Sequence, residues 1–509
     1  MRNAKDRPYM RPIIRLLTLL LAFLLVCSAS ACADSTPDPT TGSGAEGSDT
    51  GSEIPSDYAT DLPNKDLGGA TIVFLAQSDP CFVHFYDVNV TQYNDGVINE
   101  AVYIRNRTVE SALHVTITDY DAGSNANEEL KRTVLSGDDD YDAAWIRTDY
   151  FFATSLEGHL RNIYEMPNLD LSKLYWDQHA QDDYLVGDKL FGIMGDISTS
   201  ANMFTHLFGI NKKVAKEHGV DVSSLYNTVL NGDWTLGAFL EVCSHCEWAD
   251  LNGNGTRDGL DQFAFGVSPS FIFGGFSAAG EMWIVKDENN HYALSELTQR
   301  KIDVLEAIIN LTNDKNMTVA TWNIGSVPGE TDTYGYTYRT KFENNTLLFS
   351  DLDMGEVLDT RATMKDDFGI VPLPKYDQSQ TEYSVFAYPF YPLLCIPGTV
   401  TEEKQETVGY VLEVLGSESY KTLTPAFYDI AMGGMVLRDE ESTQMLDLIL
   451  RSRRYELLLI YQWSGDSFRT QLQDMILNGK NAITSVYRRN EKSLNNAIEE
   501  VMEKVSKLE

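Results

Sequence analysis

Basic residues are scarce in this 509-residue chain: 40 Lys and Arg stand against 75 Asp and Glu, for a net charge of −35. Such a surface repels a phosphate backbone, which argues against a nucleic-acid partner. The eight histidines form no ligand-spaced cluster. There is no G-x-S-x-G elbow, no H-E-x-x-H and no P-loop, so the common hydrolase, zinc-protease and nucleotide signatures are missing. Beyond residue 26 no run is long and apolar enough to span a bilayer. Internal repeats are absent as well. Cysteine offers little: past Cys27 and Cys32 there remain Cys81, Cys243, Cys246 and Cys395. The pair in "CSHC" (243–246, enclosing His245) has redox spacing, but it falls late in an amphipathic helix expected to start near Trp234 with Thr235 as its N-cap. A redox pair needs the helix N-terminus, where the dipole lowers a thiol pKa, so buried helix thiols are the expectation.

What is present begins with a secretory signal. Arg2, Lys5, Arg7, Arg11 and Arg15 precede the apolar stretch "LLTLLLAFLLV" (16–26), too short for a membrane span. Ala29, Ser30 and Ala31 then precede Cys32 in the manner of a bacterial lipobox, which makes residues 1–31 a lipoprotein signal peptide and Cys32 the lipidated first residue. Simple cleavage and secretion is the alternative. Residues 32–60, rich in Ser, Thr, Gly, Pro and Asp, bury nothing and read as a disordered tether. A lipid anchor with a leash implies a body working just outside a cytoplasmic membrane.

The body starts near Leu67, and its size favours two lobes. "GATIVFLAQ" (69–77), "HVTITDY" (114–120) and "DDYDAAWIR" (139–147) read as strands, separated by helices over 94–113 and around "NANEELKRTVLSG". Strand, helix, strand, helix, strand implies an α/β parallel sheet covered by helices. The expected divisions are 67–196 for the first part of lobe 1 and 197–340 for a helix-rich lobe 2. Residues 341–509 supply the crossover, the rest of both lobes and the C-terminal helices. Within them "FGIVPLPKYD" reads as the crossover, and "ESTQMLDLILRSRRYELLLIY" as one long helix.

The stretch "DLNGNGTRDGLD" (250–261) has the register of a calcium loop. Asp250, Asn252, Asn254, Thr256, Asp258 and Asp261 occupy positions one, three, five, seven, nine and twelve, and Gly255 makes the turn at six. With few formal charges and a short closing Asp, binding in the ~10⁻⁴–10⁻³ M range is expected. A single loop points to a structural Ca²⁺ ion; a polar turn that binds nothing is the alternative.

The order of anchor, tether and first sheet, followed by "YDAAWIR", "DKLFGIMGDIS", "FGINKKVAKEHGVD", "GDWTLGAFLEVC", "DFGIVPLPKYD" and "RDEESTQMLDLI", resembles the extracellular solute-binding proteins of ABC importers. The similarity is to family 1, the largely carbohydrate-binding, maltose-binding-protein-like branch. It implies a two-lobed, hinge-linked α/β fold of type II with ligand held in the cleft. It also implies a monomer that hands sugar to a membrane permease and has no catalytic activity.

A pyranose offers apolar faces and a rim of hydroxyls, so its site wants aromatic rings beneath and carboxylates or Arg at the edge. Candidates are Trp145, Arg147 and Asp149 at the end of the third strand, and Asp196 after "KLFGIMGD". Phe276, Glu281 and Trp283 lie in "GGFSAAGEMW", Asp351 in "LLFSDLD" and Tyr388 in "FAYPFYP", where Tyr391 also sits. Trp463 in "YQWSGDS" could reach the cleft, but the helix before it favours packing. Core packing or helix capping is the alternative for each candidate. A sensor reporting to a membrane receptor would share this fold, and an extracellular glycosidase would share the aromatic cleft and the paired carboxylates.

Overall fold

A computed structural model describes residues 55–77, 88, 96–268, 270–320, 337–432, 440–460 and 467–508. The signal segment, Cys27, Cys32, most of the tether, Cys81 and Trp463 lie outside these residues.

Thirteen strands are described: β1 (Ala70–Ala76), β2 (Val115–Asp121), β3 (Ala143–Arg147), β4 (His206–Asn211), β5 (Phe263–Val267), β6 (Ile284–Lys286), β7 (Tyr292–Leu294), β8 (Thr318–Ala320), β9 (Leu347–Asp353), β10 (Phe368–Val371), β11 (Val385–Phe386), β12 (Pro392–Cys395) and β13 (Arg453–Arg454). The first sheet has the order β12-β3-β1-β2, the second β10-β4-β9-β5-β8; β6 pairs with β7 and β11 with β13.

In the first sheet β1 runs parallel to both β2 and β3, as the alternation of strands and helices implies. The helices Val97–Leu113 and Ala126–Ser136 make the crossovers. The second of these stops where Gly137 takes φ 77° and returns its N–H to Thr133 and Val134. In the second sheet β5 is parallel to β8 and β9, while β4 runs against β9 and β10. Its core is aromatic: Phe208, Phe239, Phe265 and Phe349 meet with ring centroids 5.0–6.3 Å apart. Thr235 caps the helix Leu236–Cys243 as expected. Cys243 and Cys246 are buried free thiols, both pushed up in pKa by burial, the opposite of what redox chemistry requires.

Three stretches of chain pass between the sheets and lie side by side. Thr205 bridges Ala387, Tyr388 N–H donates to Phe204 O, and Val385 and Phe386 pair in parallel with Arg453 and Arg454. Two expectations change here. "FGIVPLPKYD" contains β10, an edge strand of the second sheet, and the passage back comes later, at 385–391, leading into β12. The long helix expected over 441–461 is broken into Glu440–Arg451 and Leu457–Ile460, with β13 between them. Side-chain pairing explains the break: Arg453 and Arg454 reach Asp177 and Asp183, and Ser452 O accepts from Val385 N–H.

The tether also ends sooner than its composition implies. Residues 56–58 form a short 3-10 turn, Tyr58 stacks on Tyr420 at 4.0 Å, and Ser417 Oγ donates to Tyr58 O while accepting from Thr60 N–H. The chain therefore docks on the helix Glu402–Met432 before the first strand begins. Further on, the segment 164–178 packs on that same helix. Glu413 accepts from Tyr175 Oη and from Trp176 Nε1, and a Cβ at Gly195 would come 2.0 Å from Tyr175 O, which is why glycine stands there.

Candidate ligand-binding site

In an open α/β sheet the ligand crevice lies beyond the carboxyl ends of the parallel strands. For the first sheet that edge carries Arg147 and Asp149; for the second it carries Ser268 after β5 and Asp351 near the end of β9. His206, opening the antiparallel β4, comes to the same edge.

Arg147 forks onto Asp149 through Nε and a terminal nitrogen, both at 2.7 Å, and its guanidinium lies 5.0 Å from the Tyr150 ring and 5.6 Å from that of Phe390. Phe390 continues to Tyr388 at 4.8 Å and to Phe204 at 6.5 Å. Tyr388 approaches His206 at 6.3 Å. His206 Nδ1 lies 3.3 Å from Asp351 Oδ1, and Ser268 Oγ donates to Asp351 Oδ2 at 2.7 Å. Burial opposes charge on His206, but the hydrogen bond and attraction of Asp351 outweigh it and raise the imidazole pKa. Two residues on, Asp353 caps the helix Met354–Thr363 in a reciprocal box with Glu356, and burial raises its pKa to about 6.

One strip thus runs from the first sheet across a crossing segment to the second: Arg147–Asp149, Phe390, Tyr388, His206–Asp351–Ser268. Arg147, Asp149, Tyr150, Tyr388 and Phe390 keep part of their surface accessible, whereas His206, Ser268 and Asp351 are buried and form the strip's inner end. Arg147, Asp149, Asp351 and Tyr388 are legible from the sequence as candidates; Phe204, His206, Ser268 and Phe390 are additions. Ser268 follows an apolar strand and His206 precedes one, and that position at a strand end is the signal that could have found them.

The other candidates lie elsewhere. Trp145 shares a sheet face with Arg147 but is 2% exposed, and its Nε1 has no hydrogen-bond partner among the described residues. Phe276 and Trp283 stack on each other at 4.6 Å and 8°, and Phe468 stands edge-on to the indole at 5.0 Å. Glu281 pairs with Arg300 at 3.1 Å and with Lys301 at 3.6 Å. Asp196 belongs to a group beneath the crossing segments with Thr424, Arg453 and Asp177, where burial pushes its carboxyl up to about 7.

Solved structures share this architecture. UspC of M. tuberculosis superposes with a TM-score of 0.54 at 15% identity, covering 84% of this chain and 100% of its own. RafE of Streptococcus pneumoniae gives 0.53 at 13%, over 84% and 98%. An ABC transporter solute-binding protein from Thermotoga lettingae bound with α-D-tagatose gives 0.50 at 12%, over 84% and 100%. The fold is that of the two-lobed solute-binding proteins. No family profile and no curated protein sequence matches the chain. In the solute-binding fold the sheets are the cores of the two lobes, and the three adjacent passages form the hinge.

At the opposite end of β5 from Ser268, the 250–261 loop folds on itself. Asp250 accepts from the N–H groups of Gly253 and Gly255, both at 2.7 Å, while the amides of Asn252 and Asn254 donate to the Asp258 carboxylate. Asp261 is fully buried: Oδ2 accepts from Trp248 Nε1 and Asp258 N–H, and Oδ1 has no hydrogen-bond partner among the described residues. The residues fit a calcium ion to this extent: oxygen-bearing side chains converge, turning either Asn amide would present its oxygen, and a buried carboxylate oxygen is unsatisfied. Among the described residues no group of three or more His, Cys, Asp and Glu side chains is placed to hold a metal, so amide and backbone oxygens would have to complete the shell. Lys341 Nζ donates to the carbonyls of Gly259 and Asp261, and Arg257 to those of Lys315 and Thr318. The loop therefore braces the entries of β5 and β8.

Proposed function

We propose that this chain is a lipid-anchored, family 1 solute-binding protein that captures a carbohydrate, an oligosaccharide fragment, on the outer face of the cytoplasmic membrane. It delivers the sugar to an ABC permease, as a monomer and without catalysis. The strip joining Arg147–Asp149, Tyr388, Phe390 and His206–Asp351 carries this reading. Its accessible part sets the rings of Tyr388 and Phe390 beside the fixed Arg147–Asp149 pair, the combination that the faces and hydroxyl rim of a pyranose require, and its buried end at His206–Asp351 reaches the second sheet. A neighbour of the same fold holding a ketohexose supports the substrate class. The test is calorimetry of the soluble body, residues 55–509, against mono- and oligosaccharides, with the sugar analysed afterwards. Saturable binding with unaltered sugar is expected, and Phe390→Ala should weaken it about tenfold or more. Shortened sugar would establish a hydrolase instead, and silence across the panel would overturn the substrate class.

Anchoring rests on Cys32 within "ASAC". The Cys32→Ala chain is expected in the medium or soluble fraction while the parent stays with the membrane; equal partitioning of the two would exclude the anchor.

The loop at 250–261 is proposed to hold a structural calcium ion that acts on stability and leaves the sugar untouched. At a hundredfold excess over its Kd the ion would add about 2.7 kcal/mol. Calcium should therefore raise the Tm of the parent and leave that of Asp250→Ala unmoved. A Tm indifferent to both EDTA and calcium would remove the ion from this account.

A further inference from the structure

A second cavity, of ≈ 520 Å³, opens beside the β11–β13 pair. None of its lining residues belongs to the strip at the strand ends. One wall is the chain entering β11, Gln380 to Ser384; another is the chain at β13, through Arg451, Ser452 and Arg454. His179, on the helix Gln178–Tyr184, closes the side nearer the first sheet, and Gly280 and Met282 close the side nearer the second. Two of the three crossing passages thus meet around one space, whose volume falls in the range of small-molecule sites.

Its chemistry differs from that of the chain at large. In a protein of net charge −35 the lining brings together Arg451, Arg454 and His179 against one carboxylate, Glu382. Arg451 donates through Nε to Asp447 O and makes no other hydrogen bond to a described residue. Arg454 gives Nε and one terminal nitrogen to Asp183, leaving the other terminal nitrogen. His179 Nδ1 lies 3.0 Å from Arg453 O. A carbonyl only accepts, so Nδ1 holds a proton and Nε2 faces outward. The wall opposite is braced: Gln380 Nε2 donates to Ala278 O and Glu382 O, and its Oε1 accepts from Tyr376 N–H. Guanidinium forks in a rigid, polar recess are suited to oxyanions.

We propose that this hinge cavity is a second binding site, for a small multivalent oxyanion, and that its occupant holds the lobes in the arrangement described here. A ligand that binds one arrangement more tightly shifts the population toward it, and by linkage it alters the affinity of the cleft for its own ligand. The site does not depend on the substrate class proposed for the cleft, and its first test is read with no sugar present.

That test is calorimetric titration of the purified protein with inorganic phosphate and, separately, citrate, at ionic strength matched with chloride. Saturable binding is expected, weakened at least tenfold in Arg451→Gln and in His179→Gln, both exposed positions whose replacement leaves the fold intact. Phosphate binding without citrate assigns the site to phosphorylated ligands, and the reverse assigns it to organic polyacids. Where a cleft ligand is in hand, the oxyanion should change its affinity severalfold in the parent and leave it unchanged in Arg451→Gln. Absence of saturable binding for both anions, or binding indifferent to both substitutions, would overturn the proposal.

Discussion

Arg453→Met is expected to cost about 3–5 kcal/mol of unfolding free energy, the usual penalty for stranding a buried charge. Arg453 lies where the three crossing segments meet. It reaches Asn202 on the first passage and, at 2.8 Å, Asp177 Oδ2, which also accepts from Tyr455 Oη at 2.7 Å. Both partners of the ion pair are about nine-tenths buried. Removing the guanidinium leaves the Asp177 carboxylate without its ion-pair partner in a setting that water reaches poorly, and no other ion pair to it is formed among the described residues. The measurement is denaturant unfolding of Arg453→Met, of Asp177→Asn and of the double variant. The double variant should recover part of the loss, because an uncharged pair leaves no orphan. A single-variant loss under about 1 kcal/mol would show that the pair is solvated and the hinge held by other contacts.

The second large effect is a pH dependence centred on Asp196. Burial pushes its carboxyl up to about 7; the Thr424 hydrogen bond and Arg453 pull the other way without prevailing. An unfolded Asp titrates near 3.9, so between roughly pH 4 and 7 the folded chain holds a proton that the unfolded chain has released. The sign follows: this group favours the fold fully below about pH 4, and its contribution is lost as the pH rises through 7. Glu456, held between the N–H groups of Leu458 and Trp283 and likewise raised to about 7 by burial, adds to the same trend. Asp196→Asn cannot ionise. Its Tm should match the parent near pH 4, already exceed it at pH 5 and exceed it by several degrees at pH 8, a gap that closes on acidification. Parallel Tm–pH curves for the two chains would mean that Asp196 is ionised across the range.

Strand ends were the readable part of the candidate strip. Arg147 and Asp149 stand where an apolar run becomes polar, and that transition is visible in "AAWIRTD" without coordinates. Which aromatic residue keeps a free face was not readable. Trp283 and Tyr388 look alike in sequence, each in a stretch rich in Gly, Pro and rings. Phe276 and Phe468 cover the first, from positions 7 residues upstream and 185 downstream, while the second keeps part of its ring accessible on a crossing segment. His206 was missed because a lone histidine before an apolar strand has no pattern of its own. Its importance comes from Asp351, brought alongside 145 residues later by antiparallel pairing.

The sequence by itself determined the local elements of this protein. An apolar, β-branched run produced β1, alternation produced β2, helical spacing placed the helices between the first three strands, left-handed Gly137 ended the second of those helices, and that order required a parallel sheet. It also carried the charge that argues against a nucleic-acid partner, because composition needs no geometry. Tertiary structure alone decided where elements stop and what meets across them. The apolar period of residues 441–460 continues through Arg453 and Arg454, yet the helix breaks there because carboxylates 276 and 271 residues upstream bind the two guanidiniums more favourably than another helical turn would. Hinge, strip and cavity are all of this kind. They arise from contacts between distant segments, and such contacts leave no period in the chain to read.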